Sequence, residues 1–206
     1  KISRIDGMQP EQRASEVLGL PASEAKIEHL INELIGCMID LDTEGFERIL
    51  NKHIEGNGLY TTITTVIFQF LEKTGVLWQT GRINPAHEHI VSNITRQKII
   101  TGIEALPSVN IGPKFLLLLP EYEYHEIGLL FVYYLLKQRG ISALYLGANV
   151  PLKDALYVTE YKKIDYIYIH LTSLPTRLNL QKFISLLTEK AVSSKLVISG
   201  GVIDGI

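Results

Sequence analysis

Six histidines, His29, His53, His87, His89, His125 and His170, are the side chains of this chain best suited to hold a metal or move a proton near neutral pH. His29 and His53 fall within amphipathic stretches and read as surface or boundary residues. His125 differs. It closes the polar run Pro120-Glu121-Tyr122-Glu123-Tyr124-His125, which follows the apolar run Phe115–Leu119, and Gly128 comes three residues later. An imidazole at the carboxyl end of a strand can ligate a metal through one ring nitrogen. Glu123, two residues earlier, can accept the other ring N–H, which sets the tautomer and raises the ligand's basicity. Gly128 lets a flat, bulky ligand approach the backbone. By itself, Glu-x-His-x-x-Gly is also the composition of an ordinary exposed loop.

Three further segments share this position at strand carboxyl ends. Leu146-Gly147-Ala148-Asn149-Val150-Pro151 reads as the end of a second strand, a tight turn and a helix start. His170-Leu171-Thr172 closes a third strand and Gly200-Gly201 a fourth. Their small residues leave a slot beside the sheet, although Gly-Gly alone is equally an ordinary turn. Farther upstream, nine residues separate Trp78 from Glu88-His89. A lone Trp reads equally as a core anchor and Glu-His as a solvated helix face.

The elements that position these residues follow from periodicity. Ile27, Leu30, Ile31, Leu34, Ile35, Met38 and Ile39 lie on one helical face. Phe46, Ile49, Leu50 and Ile54 repeat the pattern behind Asp42 or Thr43 as a cap. Leu59, Ile63, Val66, Ile67, Phe70 and Leu71 repeat it again. A fourth helix is expected from Asn84-Pro85 to about Leu106, with Asn84 as N-cap and Pro85 at the first helical position. A shorter helix is expected around Pro10–Leu18. Four amphipathic helices with short connections make a bundle. Pro107–Pro113 reads as a linker.

Beyond it, strands at Phe115–Leu119, Ala143–Leu146, Tyr166–Ile169 and Leu196–Ser199 alternate with helices at Glu126–Gln138, Leu152–Tyr161 and Leu180–Lys190. That alternation predicts a parallel sheet with helices on its faces, which binds ligands beyond the carboxyl ends of its strands. The expected fold is thus α/β with an N-terminal all-α part, a four-helix-bundle cap followed by a doubly wound parallel-sheet Rossmann-like domain. Residues 1–22 are expected to form a linker and short helix, 23–107 the cap, and 113–206 the sheet domain, which calls for a further strand or helix past Ile206. The first residue, Lys1, implies a chain that begins mid-protein or after processing.

Composition narrows the function. A formal net charge of −2 over 206 residues shows no basic nucleic-acid footprint. A single cysteine, Cys37, excludes an internal disulfide framework and a cysteine-cluster zinc site. No apolar run approaches the ~18–20 residues of a membrane span. The first strand–helix turn lacks the Gly-x-Gly-x-x-Gly that cradles a pyrophosphate.

The motifs resemble those of the cobalamin-binding Rossmann-like domain, which carries Asp-x-His-x-x-Gly, Ser-x-Leu and Gly-Gly. Here Glu123-x-His125-x-x-Gly128 is followed by 41 residues (129–169), then His170-x-Thr172, then 27 residues (173–199), then Gly200-Gly201. The spacings match the family throughout. Glu stands for Asp and keeps the carboxylate; His170-x-Thr172 stands for Ser-x-Leu. The resemblance implies base-off binding. His125 would displace the cofactor's own dimethylbenzimidazole as the lower axial ligand of cobalt, and the displaced tail would enter the slot lined by residues 170–172 and Gly200-Gly201, with Glu123, Gly128 and Val150 among the cofactor-binding residues.

Trp78-x9-Glu88-His89 is similar to the helical cap of cobalamin-dependent MerR-family transcription regulators, including the light-sensing ones. That likeness implies adenosylcobalamin, rather than methylcobalamin, held between cap and sheet. Trp78 would form a lid over its upper face, and Glu88 would accept hydrogen bonds from a ribose. In the light sensors a His follows the Trp; here it is Gln79, a poor cobalt ligand beside imidazole.

The resemblance implies a cytoplasmic, non-catalytic sensor region. It would form a homo-oligomer, dimer or tetramer, and bind DNA only through a winged-helix domain upstream of Lys1. A corrinoid carrier of a methyltransferase uses the same sheet and axial His, and a dimerisation module that has lost cobalamin uses the same fold.

Overall fold

The computed structural model describes residues 22–109, 111–173 and 177–201. The helix expected at Pro10–Leu18 lies outside them, as does all of the expected 1–22 linker except Ala22. Two compact units divide between Thr95 and Arg96.

In the first unit, helix α1 spans Ala22–Ile39 and α2 spans Thr43–Thr62. Asp42 caps α2, its Oδ1 accepting the Gly45 backbone N–H at 2.8 Å. Gly58, at φ 80° and ψ 159°, breaks α2 four residues before its end. A π-helical turn, Ile63–Ile67, leads into α3, Phe68–Gln79. The apolar stripe from Leu59 to Leu71 is therefore not one regular helix. It starts inside α2, passes through the π turn and enters α3. Helix α4 begins at Pro85 and ends at Glu104, and the Asn84 Oδ1 accepts the Ala86 N–H as expected of a cap.

The core of the helical unit joins Ile31, Leu34 and Met38 of α1, Phe46 and Leu50 of α2, Val66 and Ile67 of the π turn, Phe70 of α3, and Val91 and Ile94 of α4. Phe46 and Phe70 meet edge to face with centroids 5.4 Å apart. Replacing Asp42 by Ala leaves the Gly45 N–H without its acceptor. The expected loss is about 1 kcal/mol of unfolding free energy, read from urea melts against the parent chain.

In the second unit, four strands alternate with three helices: β1 Ile111–Pro120, α5 Ile127–Gln138, β2 Ile141–Val150, α6 Leu152–Lys162, β3 Tyr166–His170, α7 Leu180–Lys190 and β4 Lys195–Ser199. All pairings are parallel and the order is β2-β1-β3-β4. The run Leu116–Leu119 is fully buried because both sheet faces are covered. Leu117 and Leu119 pack with Leu129 of α5, while Leu116 and Leu118 join Ala155 of α6 and Phe183 and Leu187 of α7. The expected doubly wound sheet preceded by an all-α part is thus the observed fold.

Two boundaries differ from expectation. The Pro107–Pro113 linker is partly strand, since β1 already starts at Ile111. The turn expected at Gly147–Asn149 is instead the last stretch of β2, where Gly147 pairs with Leu118 and Val150 with Pro120 across register shifts. Gly147 at φ 82° and Asn149 at φ 56° supply the left-handed residues that such a bulged strand needs. Successive strands are added in one direction from β1 to β2 and in the other from β1 to β3. The carboxyl ends of β1 and β3 therefore flank the topological switch point, where sheets of this order leave an open crevice.

Candidate functional site

The loop after β1 places a carboxylate at this switch point. Glu123 is 0 % exposed. Its Oε1 accepts the backbone N–H groups of Tyr124 and His125, both at 2.9 Å, and lies 2.6 Å from His125 Nδ1. Its Oε2 accepts the backbone N–H and the hydroxyl of Ser173, both at 2.9 Å, from the loop after β3. Burial raises the pKa of this carboxyl, but the bonds from His125 and Ser173 outweigh it and hold the pKa at about 2. A carboxylate can only accept, so the contact with His125 puts the proton on Nδ1 and the lone pair on Nε2. The His125 side chain is 60 % exposed. The result is an imidazole of set tautomer, presented toward solvent from a buried anionic anchor.

Backbone geometry reinforces that loop. Tyr122, at φ 69°, donates its N–H to Asn149 Oδ1 at 2.9 Å, and the Asn149 N–H donates to the Glu123 carbonyl at 3.1 Å. The bulged end of β2 thus clamps the start of the His125 loop. At its end, Glu126 accepts the Tyr145 hydroxyl at 2.7 Å and pairs with Arg96. Burial and the Glu126 carboxylate push the Tyr145 hydroxyl's pKa up, so it stays a donor.

The strand-end motifs converge here. His170 ends β3, and its Nδ1 lies 2.9 Å from the Ser199 hydroxyl, which also meets the Tyr168 hydroxyl. Burial pulls the His170 pKa down, and the nearby Glu123 carboxylate opposes that pull. A Cβ built on Gly128 falls 2.2 Å from His170 Nε2, so the ring already occupies the space that Gly128 leaves. Gly200 has φ 120°, and a Cβ there would sit 1.9 Å from the Leu171 carbonyl oxygen. Only glycine fits where the end of β4 abuts the β3 backbone. Gly201 is exposed, with open space beside it. Thr172 is exposed and Val150 is buried in the sheet core.

In the helical unit, Trp78 lies near the end of α3 and is 55 % exposed. Gln79 closes the helix. Glu88 lies in the first turn of α4 and pairs with His89 Nδ1 at 3.1 Å. An exposed Trp is not the core anchor that its composition alone allowed.

Sequence reasoning missed Ser173, Ser199 and the Arg96–Glu126–Tyr145 network. Ser199 had a usable signal, because it ends β4 as His170 ends β3 and the two are register partners. Ser173 had none, since it lies 50 residues from the carboxylate it serves.

Among the described residues, no group of three or more His, Cys, Asp or Glu forms a metal cage. A single oriented imidazole suits a metal whose other positions are filled by its own macrocycle, with the protein supplying an axial ligand. Glu123 and His125 fit that role, whereas the space beside Gly128 is filled by His170. Among the described residues, no helix is long and apolar enough to cross a membrane.

Residues 30–101 match the B12 binding domain family. The HTH-type transcriptional repressor CarH of Myxococcus xanthus is 33% identical over 89 residues, which is 43% of this chain and 29% of that protein. The HTH-type transcriptional repressor CarA of the same organism is 37% identical over 70 residues, 34% of this chain and 24% of that protein. The chain thus spans less than a third of the length of these curated relatives. Among solved structures, the monomethylamine corrinoid protein of Methanosarcina barkeri shares the fold. The TM-score is 0.65 at 13% identity, covering 85% of this chain and 86% of that one. The chain is thus similar to a B12 binding domain over residues 30–101, to two transcriptional repressors over part of their length, and to a corrinoid protein in fold.

Proposed function

We propose that this chain is the cobalamin-sensing part of a MerR-type transcription regulator. It takes up adenosylcobalamin base-off, with His125 Nε2 as the lower axial ligand of cobalt. The observation that carries the reading is the buried Glu123, which sets the His125 tautomer and ties together the two loops of the switch point. Similarity to two repressors favours a sensor over a carrier. The corrinoid supplies a cobalt centre whose upper ligand is exchangeable.

The chain's own residues do the rest of the work. Glu123 holds the proton on Nδ1. Ser173 holds Glu123. Tyr145 and Arg96 hold Glu126 beside the ligand. Trp78, Glu88 and His89, and likewise Gly200, Gly201 and Thr172, are proposed as cofactor-binding residues on the family resemblance alone. The 23–107 helical part and the 113–206 sheet part are its two working pieces. The reading assigns no catalytic step to the chain. Signalling follows if the two ligand states favour different oligomers, dimer or tetramer, and a winged-helix domain elsewhere in the protein converts that difference into altered DNA binding. A cytoplasmic location belongs to the same reading.

Purified chain mixed with adenosylcobalamin in the dark, then passed over a sizing column, is expected to retain the cofactor with an imidazole-ligated absorption spectrum. A shift in elution volume between loaded and unloaded protein is expected as well. Absence of retained cofactor at micromolar concentration would overturn the assignment. Illumination is expected to yield no bis-imidazole species through position 79, because Gln79 stands there.

A further inference from the structure

The gap that Gly128 opens is already filled by the protein's own side chain. The position of a Cβ on Gly128 is 2.2 Å from Nε2, 2.6 Å from Cδ2 and 2.9 Å from Cε1 of His170. The ring therefore packs directly on the bare backbone at the start of α5. It does not lie there loosely. Its Nδ1 meets the Ser199 hydroxyl at 2.9 Å, that hydroxyl meets the Tyr168 hydroxyl, and the parallel register pairs His170 with Ser199. Residue 170 is half-buried, between the loop that carries His125 and the close contact of Gly200 with Leu171.

A corrinoid held through His125 must place its lower side chain somewhere beside the same loop. A full nucleotide tail seated against Gly128 requires the imidazole to leave, breaking its bond to Ser199 and uncovering the helix start. A corrinoid without that tail makes no such demand. Resting on the corrinoid reading above, we infer that His170 is a plug that makes the site discriminate by lower side chain. It disfavours corrinoids that carry a dimethylbenzimidazole nucleotide relative to corrinoids whose tail is truncated. Ser199 is the latch that keeps the plug seated.

The test compares two ligands with the same upper group, cobalamin and cobinamide, the latter lacking the nucleotide. Each is titrated by absorbance into the parent chain, into His170→Ser and into Ser199→Ala. The parent chain is expected to favour cobinamide. His170→Ser is expected to raise cobalamin affinity relative to cobinamide on the order of ten-fold, and Ser199→Ala to move the ratio the same way by less. The ratio matters because displacing the base from cobalt affects cobalamin in all three proteins alike. Should His170→Ser lose its fold, Ser199→Ala carries the same ratio test. A ratio unchanged within two-fold in the folded variants overturns the plug and leaves cobalamin binding standing. Failure of both ligands to bind any of the three proteins overturns the corrinoid reading, and the plug with it.

Discussion

Replacing His125 by Ala is expected to lower the affinity for adenosylcobalamin at least about 100-fold, because partners one step removed from a metal already account for about 10–100-fold. The residual bound fraction is expected to lose the imidazole-ligated spectrum. The fold is expected to persist with a reduced stability, since the His125 side chain is 60 % exposed and its loss takes one donor from the buried Glu123 carboxylate while the backbone and Ser173 donors remain. Circular dichroism and urea melts at neutral pH check that point, and absorbance titration checks the affinity. A variant that binds with unchanged spectrum would mean that cobalt takes its lower ligand elsewhere.

Glu123→Gln is the complementary case, a change that acts on stability as well as on the site. The two carboxylate oxygens accept from the Tyr124, His125 and Ser173 backbone N–H groups, the Ser173 hydroxyl and the His125 ring. An amide in that place turns one acceptor into a donor, and it then faces donors with no water to relieve the conflict. A loss of about 3 kcal/mol at pH 7 is expected, the range for breaking a buried charged network.

The same carboxylate sets a pH signature. Its pKa is about 2 in the folded chain against an ordinary 4.5, so the folded state keeps it ionised where the unfolded chain takes up a proton. Its stabilisation is full above pH 4.5 and is lost as pH falls from 4.5 toward 2. The shift corresponds to about 3 kcal/mol. Urea melts at pH 7, 4.5 and 3 are expected to show the parent chain losing stability along this window and Glu123→Gln showing a flatter profile. Equal acid slopes for the two proteins would remove Glu123 from the account.

Most of the sheet domain was legible in the sequence, because buried parallel strands must be continuous apolar runs. Phe115–Leu119 and Leu180–Lys190 fall within or on the observed elements. The errors lie where glycine and asparagine signal two things at once. Gly147 and Asn149 have the composition of a turn, yet here they serve a bulged strand held by pairing to β1, which depends on the neighbouring strand and not on local sequence. The π turn at Ile63–Ile67 was hidden for a similar reason. Its apolar spacing is close to helical, and only Gly58 before it marks an irregularity.

The Glu123–His125 partnership was legible from a two-residue spacing. The role of His170 was not. The motif put it in the place of a serine in the expected tail slot, but no one-dimensional pattern shows that the ring rests on Gly128. Trp78 was legible as a surface group only after its exposure was known.

The bond between Glu123 and Ser173 also makes the anchored carboxylate depend on distant parts of the chain. The Glu-x-His segment is complete early in the chain, but the hydroxyl and N–H that steady its carboxylate come 50 residues later. They arrive only when β3 has been laid beside β1, a closure whose entropic toll must be met before any contact repays it. Until that moment the His125 ring lacks the fully anchored carboxylate that selects one proton position. The oriented imidazole is therefore a product of long-range assembly: it reports that β3 lies beside β1.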